Sequence, residues 1–226
     1  MNRYNQDERY INAMGFYLSG KWEEADTAFV EVDEAFPEES FIKVLRGNIC
    51  YSRGKLDEAV EHYREAIRIK PGFGNAYYKL GVCLYRMGQL TQALEAFTAV
   101  TTSGSQSHAM ASYFVGLINL FIGEDQDAAA AFAEFHGLSP ESRIANFYLA
   151  QLRIKQKQFA EALELLNELV QETPNFAEVH YMLGTVHFGL HNNTEAIKCF
   201  QRALEINPKD ERSKTKLTLL TDVQWP

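Results

Sequence analysis

The chain has 226 residues, enough for one large domain or two small ones. Apolar residues make up 46% and charged residues 23%, a balance that argues against long disorder. The net charge of −8 argues against a nucleic-acid binder and against docking onto anionic lipid, since both need a basic face.

Residues 1–5 are polar with no apolar run behind them, so no signal peptide is expected. The longest nearly uncharged apolar stretch, residues 109–123, has 15 residues and is too short to span a bilayer. No direct membrane insertion is therefore expected. Three cysteines in no spaced framework point to a reducing compartment. A cytoplasmic protein is expected, peripheral to a membrane or organelle only through a protein partner.

An internal repeat sets the architecture. Alanines stand at 25, 59, 93, 128, 162 and 196, in steps of 34 with a single 35. Small residues Ala13, Gly47, Gly81, Gly116, Ala150 and Gly184 keep the same steps. So do the large residues Phe29, Tyr63, Phe97, Phe132, Leu166 and Phe200. Five of the six prolines lie on one grid as well. The units in chain order are 6–39, 40–73, 74–107, 109–142, 143–176 and 177–210.

Each unit predicts two helices. In the third, Tyr77, Leu80, Gly81 and Leu84 recur at helical spacing, Gly88 breaks the pattern, and Leu90, Ala93, Leu94, Phe97 and Val100 resume it. The small residue of the first helix is expected to face the alanine of the second. The large residue four positions later fills the space beside the crossing. Residues 101–108 read TTSGSQSH, with no proline and one extra residue. They are the candidate hinge between residues 1–104 (units one to three) and 105–226 (units four to six with the end of the chain). The alternative is a longer loop in a continuous stack. Glu211 to Thr221 predicts a capping helix with Leu217 and Leu220 on one side, as a stack of repeats needs a covered end. Trp225 follows in a short tail.

The order large–large–small–small–large at Tyr77, Leu80, Gly81, Ala93 and Phe97 resembles the tetratricopeptide repeat family. The resemblance covers Gln6 to Asp210. It implies an all-α fold, a right-handed α-solenoid of six helix-turn-helix units with a C-terminal capping helix. Departures exist. The family's leading Trp or Tyr is replaced by Arg9, Lys43, Ser112, Asn146 and His180, so that corner is expected to pack less well. The loop glycine is replaced by Lys157 and His191.

The resemblance further implies that first helices line an inner, concave groove. The candidate partner-binding residues there are Tyr10, Met14 and Tyr17; Phe41, Asn48 and Tyr51; Asn75, Tyr78 and Tyr85. They continue with Met110, Tyr113, Leu117 and Phe121; Phe147, Gln151 and Lys155; Tyr181 and Phe188. Each set keeps the spacing of one helical face. The face is rich in aromatics, which give large contact area at low rotamer cost. The competing reading is ordinary packing against the next unit. The fourth unit's first helix, apolar on nearly every side, makes Met110, Tyr113, Leu117 and Phe121 the preferred cluster. The clamp by which some family members hold acidic C-terminal tails is not expected. Asn48 and Lys79 are present, but Val44, Met110 and Phe114 take the surrounding places. The asparagine ladder of sugar-transferase relatives is absent too.

Residues 1–39 hold ten Asp and Glu against three Lys and Arg, and are expected to be solvated outer faces. No phosphate loop, nucleophile elbow or metal-hydrolase motif appears, so no enzyme and no cofactor are expected. His180, His187 and His191 could share a helix face, yet no metal site is expected. The leading expectation is a non-enzymatic scaffold that binds a peptide or amphipathic helix of a protein partner. One alternative is a self-assembling, homo-oligomeric scaffold on an organelle or complex surface, of the magnetosome-associated type, with Trp225 entering the groove of the next copy. Another is an accessory chaperone for secreted or membrane proteins.

Overall fold

A computed structural model describes residues 3–101 and 108–222. Residues 102–107 of the candidate hinge and Trp225 lie outside the described residues. Among those described, a short 3-10 turn (Arg3–Gln6) precedes thirteen α-helices and no strand. The chain forms two compact units, Met1–Ile118 and Asn119–Pro226.

The first unit contains the helical hairpins α1 (Glu8–Leu18) with α2 (Trp22–Ala35), α3 (Ser40–Ser52) with α4 (Leu56–Ile69), and α5 (Gly74–Arg86) with α6 (Leu90–Thr101). Helix α7 (His108–Ile122) runs through its end. The second unit holds α8 (Asp125–Leu138), the hairpins α9 (Arg143–Lys155) with α10 (Phe159–Glu172) and α11 (Ala177–Gly189) with α12 (Asn193–Ile206), and α13 (Glu211–Thr221).

The repeat columns build the interior. All six periodic alanines are fully buried. Tyr63, Phe97 and Phe200 are buried at 1%, 0% and 0% exposure. Their rings fill the space left by Gly47, Gly81 and Gly184, so the small residue meets the ring rather than only the alanine. Each buried ring contributes about 1.5–3 kcal/mol over an exposed one. Helix α13 closes the second unit's stack by burying Leu217 against the Ala196–Phe200 cluster.

The turns within hairpins repeat one hydrogen-bond pattern. The Lys55 N–H donates to the Cys50 carbonyl at 2.9 Å, and Gln158 and Asn192 repeat the bond to Arg153 and His187 at 2.8 and 2.9 Å. Such a helix end needs one left-handed residue. Gly54 supplies it at φ 77°, while Lys157 and His191 take the same conformation at φ 59° and 61°.

Two expectations are corrected. The corner where Lys43 and Asn146 stand is not loosely packed, because the polar replacement meets an acid at a fixed place on the second helix. Lys43 lies 3.3 Å from Glu65, and the Asn146 side-chain amide donates to Glu168 at 3.1 Å. The acidic run of the first repeat is not wholly solvated either. Asp33 is only 7% exposed and binds Lys43 at 2.8 Å and Arg46 at 2.6 Å. A buried carboxylate needs such partners, since desolvation without them would cost more than the fold gains.

Candidate functional site

Short helical hairpins set first helices side by side, so residues one turn apart on neighbouring helices converge. In the first unit this produces a cleft of about 380 Å³. Tyr17 comes from α1, Asn48, Tyr51 and Ser52 from α3, Tyr63 from α4, and Tyr78, Lys79 and Val82 from α5. Tyr17, Asn48, Tyr51 and Tyr78 are sequence candidates.

A directed hydrogen-bond chain fixes the cleft floor. The Tyr63 hydroxyl donates to Asn48 Oδ1 at 3.0 Å, and Asn48 Nδ2 donates to Tyr17 Oη at 3.2 Å. The amide orientation follows from burial. Tyr63 is almost completely buried, and a flipped amide would leave its hydroxyl proton without an acceptor there. Burial also pushes the Tyr63 phenol well above its usual pKa, so it stays protonated. The Tyr17 oxygen already accepts, so its own proton points elsewhere. Tyr78, whose phenol burial also raises, rests edge-on against Phe97 at 5.9 Å. The Arg86 guanidinium sits over the Tyr51 ring, 5.1 Å from its centroid.

The remaining first-unit candidates lie elsewhere. Tyr10 packs on Tyr4 and Phe29 at 5.0 and 6.2 Å between centroids, and Met14 is half-buried in the same cluster. Phe41 stacks on Tyr4 and lines a separate cleft with Lys70 and Phe73. Asn75 is exposed, and Tyr85 packs edge-on against Phe114 at 5.3 Å. On α7, Met110 is 43% exposed, while Tyr113 and Leu117 are half-buried. The same helix buries Ala111, Ser112, Ile118 and Asn119, so it has an ordinary inward face.

In the second unit Phe121 is 80% exposed. Phe147 stacks on Phe176 at 5.7 Å, Gln151 is exposed, and Lys155 is paired with Asp125. Tyr181 and Phe188 are covered by cations of the capping helix: Arg212 lies 4.3 Å from the Tyr181 ring and Lys216 lies 5.1 Å from the Phe188 ring. Arg212 is itself held by Glu178 and Asp210, whose side-chain bonds raise its pKa. His180 Nε2 lies 2.9 Å from the Pro174 carbonyl oxygen, and His191 occupies the left-handed turn.

Sequence reasoning placed Tyr63 in the core and missed that its hydroxyl orders the cleft. A signal existed: it is the one tyrosine in a column otherwise filled by Phe and Leu.

Stacked helical hairpins with a polar-floored cleft define a helical-repeat solenoid, the architecture of a protein–protein interaction scaffold. Tetratricopeptide repeat profiles match residues 47–88, 78–142, 124–184 and 153–220. Human tetratricopeptide repeat protein 36 is 32% identical over 136 residues, covering 57% of this chain and 70% of that protein. The chain belongs to the tetratricopeptide repeat family. Its members bind protein partners and are generally non-enzymatic. Among solved structures, YrrB, described as a TPR protein with an unusual peptide-binding site, superposes with a TM-score of 0.75 at 19% identity, covering 82% of this chain and 95% of that one. The MamA protein gives 0.67 at 22% identity, covering 84% and 99%. Both likenesses concern the fold. The chain spans only 34% and 27% of the length of two other curated relatives. No helix among the described residues is long and apolar enough to cross a membrane.

Proposed function

We propose that this chain is a non-enzymatic scaffold that seats a peptide segment of a partner protein in the Tyr17–Asn48–Tyr51–Tyr78 cleft of its first unit. The observation that carries the reading is the Tyr63–Asn48–Tyr17 hydrogen-bond chain. It holds an amide and a phenol in fixed orientation on a concave surface, which is what recognition of a peptide main chain requires. The aromatic walls supply contact area, and no catalysis by the chain is invoked. Three free thiols fit a reducing compartment such as the cytoplasm.

Photo-crosslinking tests the reading. A benzophenone amino acid at Val82, which lines the cleft, is expected to capture a partner in the host cell. The same group at Arg64 on the outer helix α4 is expected not to. Asn48→Leu should abolish the Val82 adduct while leaving helicity unchanged. An adduct that survives Asn48→Leu would refute the assignment.

A further inference from the structure

We infer that the forward face of the first hairpin, the side turned away from the second repeat, is a further docking surface. Its occupant is an amphipathic α-helix of a partner protein that carries Lys or Arg beside its apolar stripe. The face is separate from the cleft, so this stands independently of the peptide-binding reading above.

Every later repeat covers the same face. In register with Glu8 stand Ile42, Ala76, Ala111, Ala145 and Val179, all 0% exposed. In register with Gly15 stand Ile49, Cys83, Ile118, Leu152 and Val186, at 0% or 1%. What covers this face is the second helix of the repeat before. The Cys83 thiol donates to the Leu56 carbonyl at 3.4 Å, Phe114 stacks on Phe97 at 4.7 Å, and a Cβ on Gly189 would strike the Phe159 ring. Cys83, Phe114 and Gly189 hold the places of Gly15, Ile11 and Leu18 in their own repeats. In the first repeat Ile11 is 57% and Leu18 78% exposed, and a Cβ on Gly15 between them would meet nothing within 4 Å. The three residues lie on one stripe of α1. A stack end is normally kept soluble by a polar outer side. Here an apolar stripe stays open, with a glycine at its centre that lets another helix axis come close. The register also gives the occupant's spacing. One apolar residue meets Leu18 and Gly15, and a second, seven positions on, meets Ile11, which is the spacing of Leu56 and Tyr63 on α4.

Charge selects the kind of helix. Glu8 takes a place that is apolar in all five later repeats. On α2, Glu24 and Glu31 flank the stripe. Their equivalents Gln92 and Arg202 bond to Arg64 and Asn175 of the repeat before, so both columns face forward. Glu8, Glu24 and Glu31 are exposed and form no ion pair among the described residues. Of the nearby cations, Arg9 is bound to Asp7 at 2.7 Å, and the Lys21 ammonium lies 6.0 Å from the Phe16 centroid. A neutral or acidic helix would desolvate these carboxylates with nothing in return. A Lys or Arg three positions past the second apolar residue comes opposite Glu8, as α2 places Val32 in the cluster that holds Ile42. A second copy offering this same face would set like charges against each other, which disfavours face-to-face pairing.

Fluorescence anisotropy of the full chain with three fluorescein-labelled, end-capped helical peptides tests the inference. The first carries two leucines seven positions apart with an alanine between them, a lysine three positions past the second leucine, and lysines along both flanks. The second has glutamate in place of every lysine. The third keeps the lysines and has serine in place of both leucines. The first is expected to bind about tenfold tighter than either of the others. Ile11→Glu alters only an exposed side chain and should weaken the first peptide about tenfold. Glu8→Lys should weaken the first peptide and strengthen the second. Asn48→Leu, in the cleft, should change neither. Binding that is lost in Asn48→Leu and kept in Ile11→Glu would put the peptide in the cleft, overturning this inference and leaving the peptide-binding reading standing. Equal binding of the second peptide would overturn the basic preference, and equal binding of the third would reduce the contact to charge attraction without a seated helix. No binding of the first would overturn the docking surface altogether. Sedimentation velocity of the chain alone is expected to show no association through this face. Concentration-dependent association that Ile11→Glu abolishes would make the occupant a second copy and overturn the partner assignment.

Discussion

Gly81→Ala and Gly15→Ala are the same chemical change on two helices, and the structure gives them opposite signs. A Cβ at residue 81 would lie 2.8 Å from Phe97 Cε1 and 2.9 Å from two further ring carbons. Comfortable carbon contacts are about 3.5–4.0 Å. The ring is fully buried and stacked on Phe114 at 4.7 Å with a 3° interplanar angle, so it cannot retreat without breaking that stack. Overpacking of this kind costs about 1–3 kcal/mol, and the better helix propensity of alanine returns about 1 kcal/mol. Net destabilisation of about 1 kcal/mol follows, from a mid-range packing cost of about 2 kcal/mol less the propensity gain. At Gly15 a Cβ meets nothing within 4 Å, so only the propensity gain of about 0.5–1 kcal/mol remains. The two variants should therefore melt about 3–8 °C apart, given about 2–4 °C per kcal/mol at this chain length. Circular dichroism melts at 222 nm, a wavelength on the order of those standard for helices, would show it. Equal increases in Tm would mean that Phe97 does not occupy the glycine's space.

Asp33→Ala leaves Lys43 buried with only the half-exposed Glu65 beside it, and should cost about 3 kcal/mol in urea unfolding. A loss below about 0.5 kcal/mol would instead mark a solvated surface acid. His191→Gly and Lys157→Gly each relieve about 1 kcal/mol of left-handed strain and give part of it back as unfolded-chain entropy. Both should raise the urea midpoint slightly, whereas Gly54→Ala should lower it; a drop for both glycine variants would refute the strain argument. Burial pushes the Cys83 and Cys199 thiols up to about 11. At pH 8 their thiolate populations, and so their alkylation rates, should be about a hundredfold below those of an ordinary thiol. The folded state favours the neutral thiol, so this contribution to stability is complete below about pH 9 and is lost as pH rises toward 11, which alkaline melts of Cys83→Ala against the parent chain would register.

The backbone was readable because its information is periodic. The 34-residue columns fixed the hairpins and the buried alanines and rings, and the spacing of Leu217 and Leu220 marked α13. Side-chain partnerships were less readable, for definite reasons. A charge run such as Glu23 to Glu39 counts sign but does not say which acid turns inward, so the Asp33–Lys43–Arg46 cluster escaped. Helical spacing assigns a residue to a face but not to a shared cleft. It placed Tyr17 and Tyr10 alike on the inner side, though only Tyr17 reaches Asn48. Tyr181 and Phe188 were indistinguishable from Tyr51 and Tyr78 in register, because the capping helix that brings Arg212 and Lys216 over them belongs to no repeat column.

The bond between Asp33 and Lys43 joins the end of one repeat to the start of the next, and this gives the repeats an order. At the place Asp33 occupies, the other repeats carry Ile67, Thr101, His136, Val170 and Leu204. None of these can neutralise an inward-facing lysine. The second repeat therefore has both of its acidic partners only behind the first. A gene duplication or a recombination that moved it down the chain would put a carbon surface or a neutral side chain in place of Asp33 and leave its ammonium only its own half-exposed Glu65. Lineages that lengthen this protein by copying its modules must start from a different repeat, or change residue 43 first.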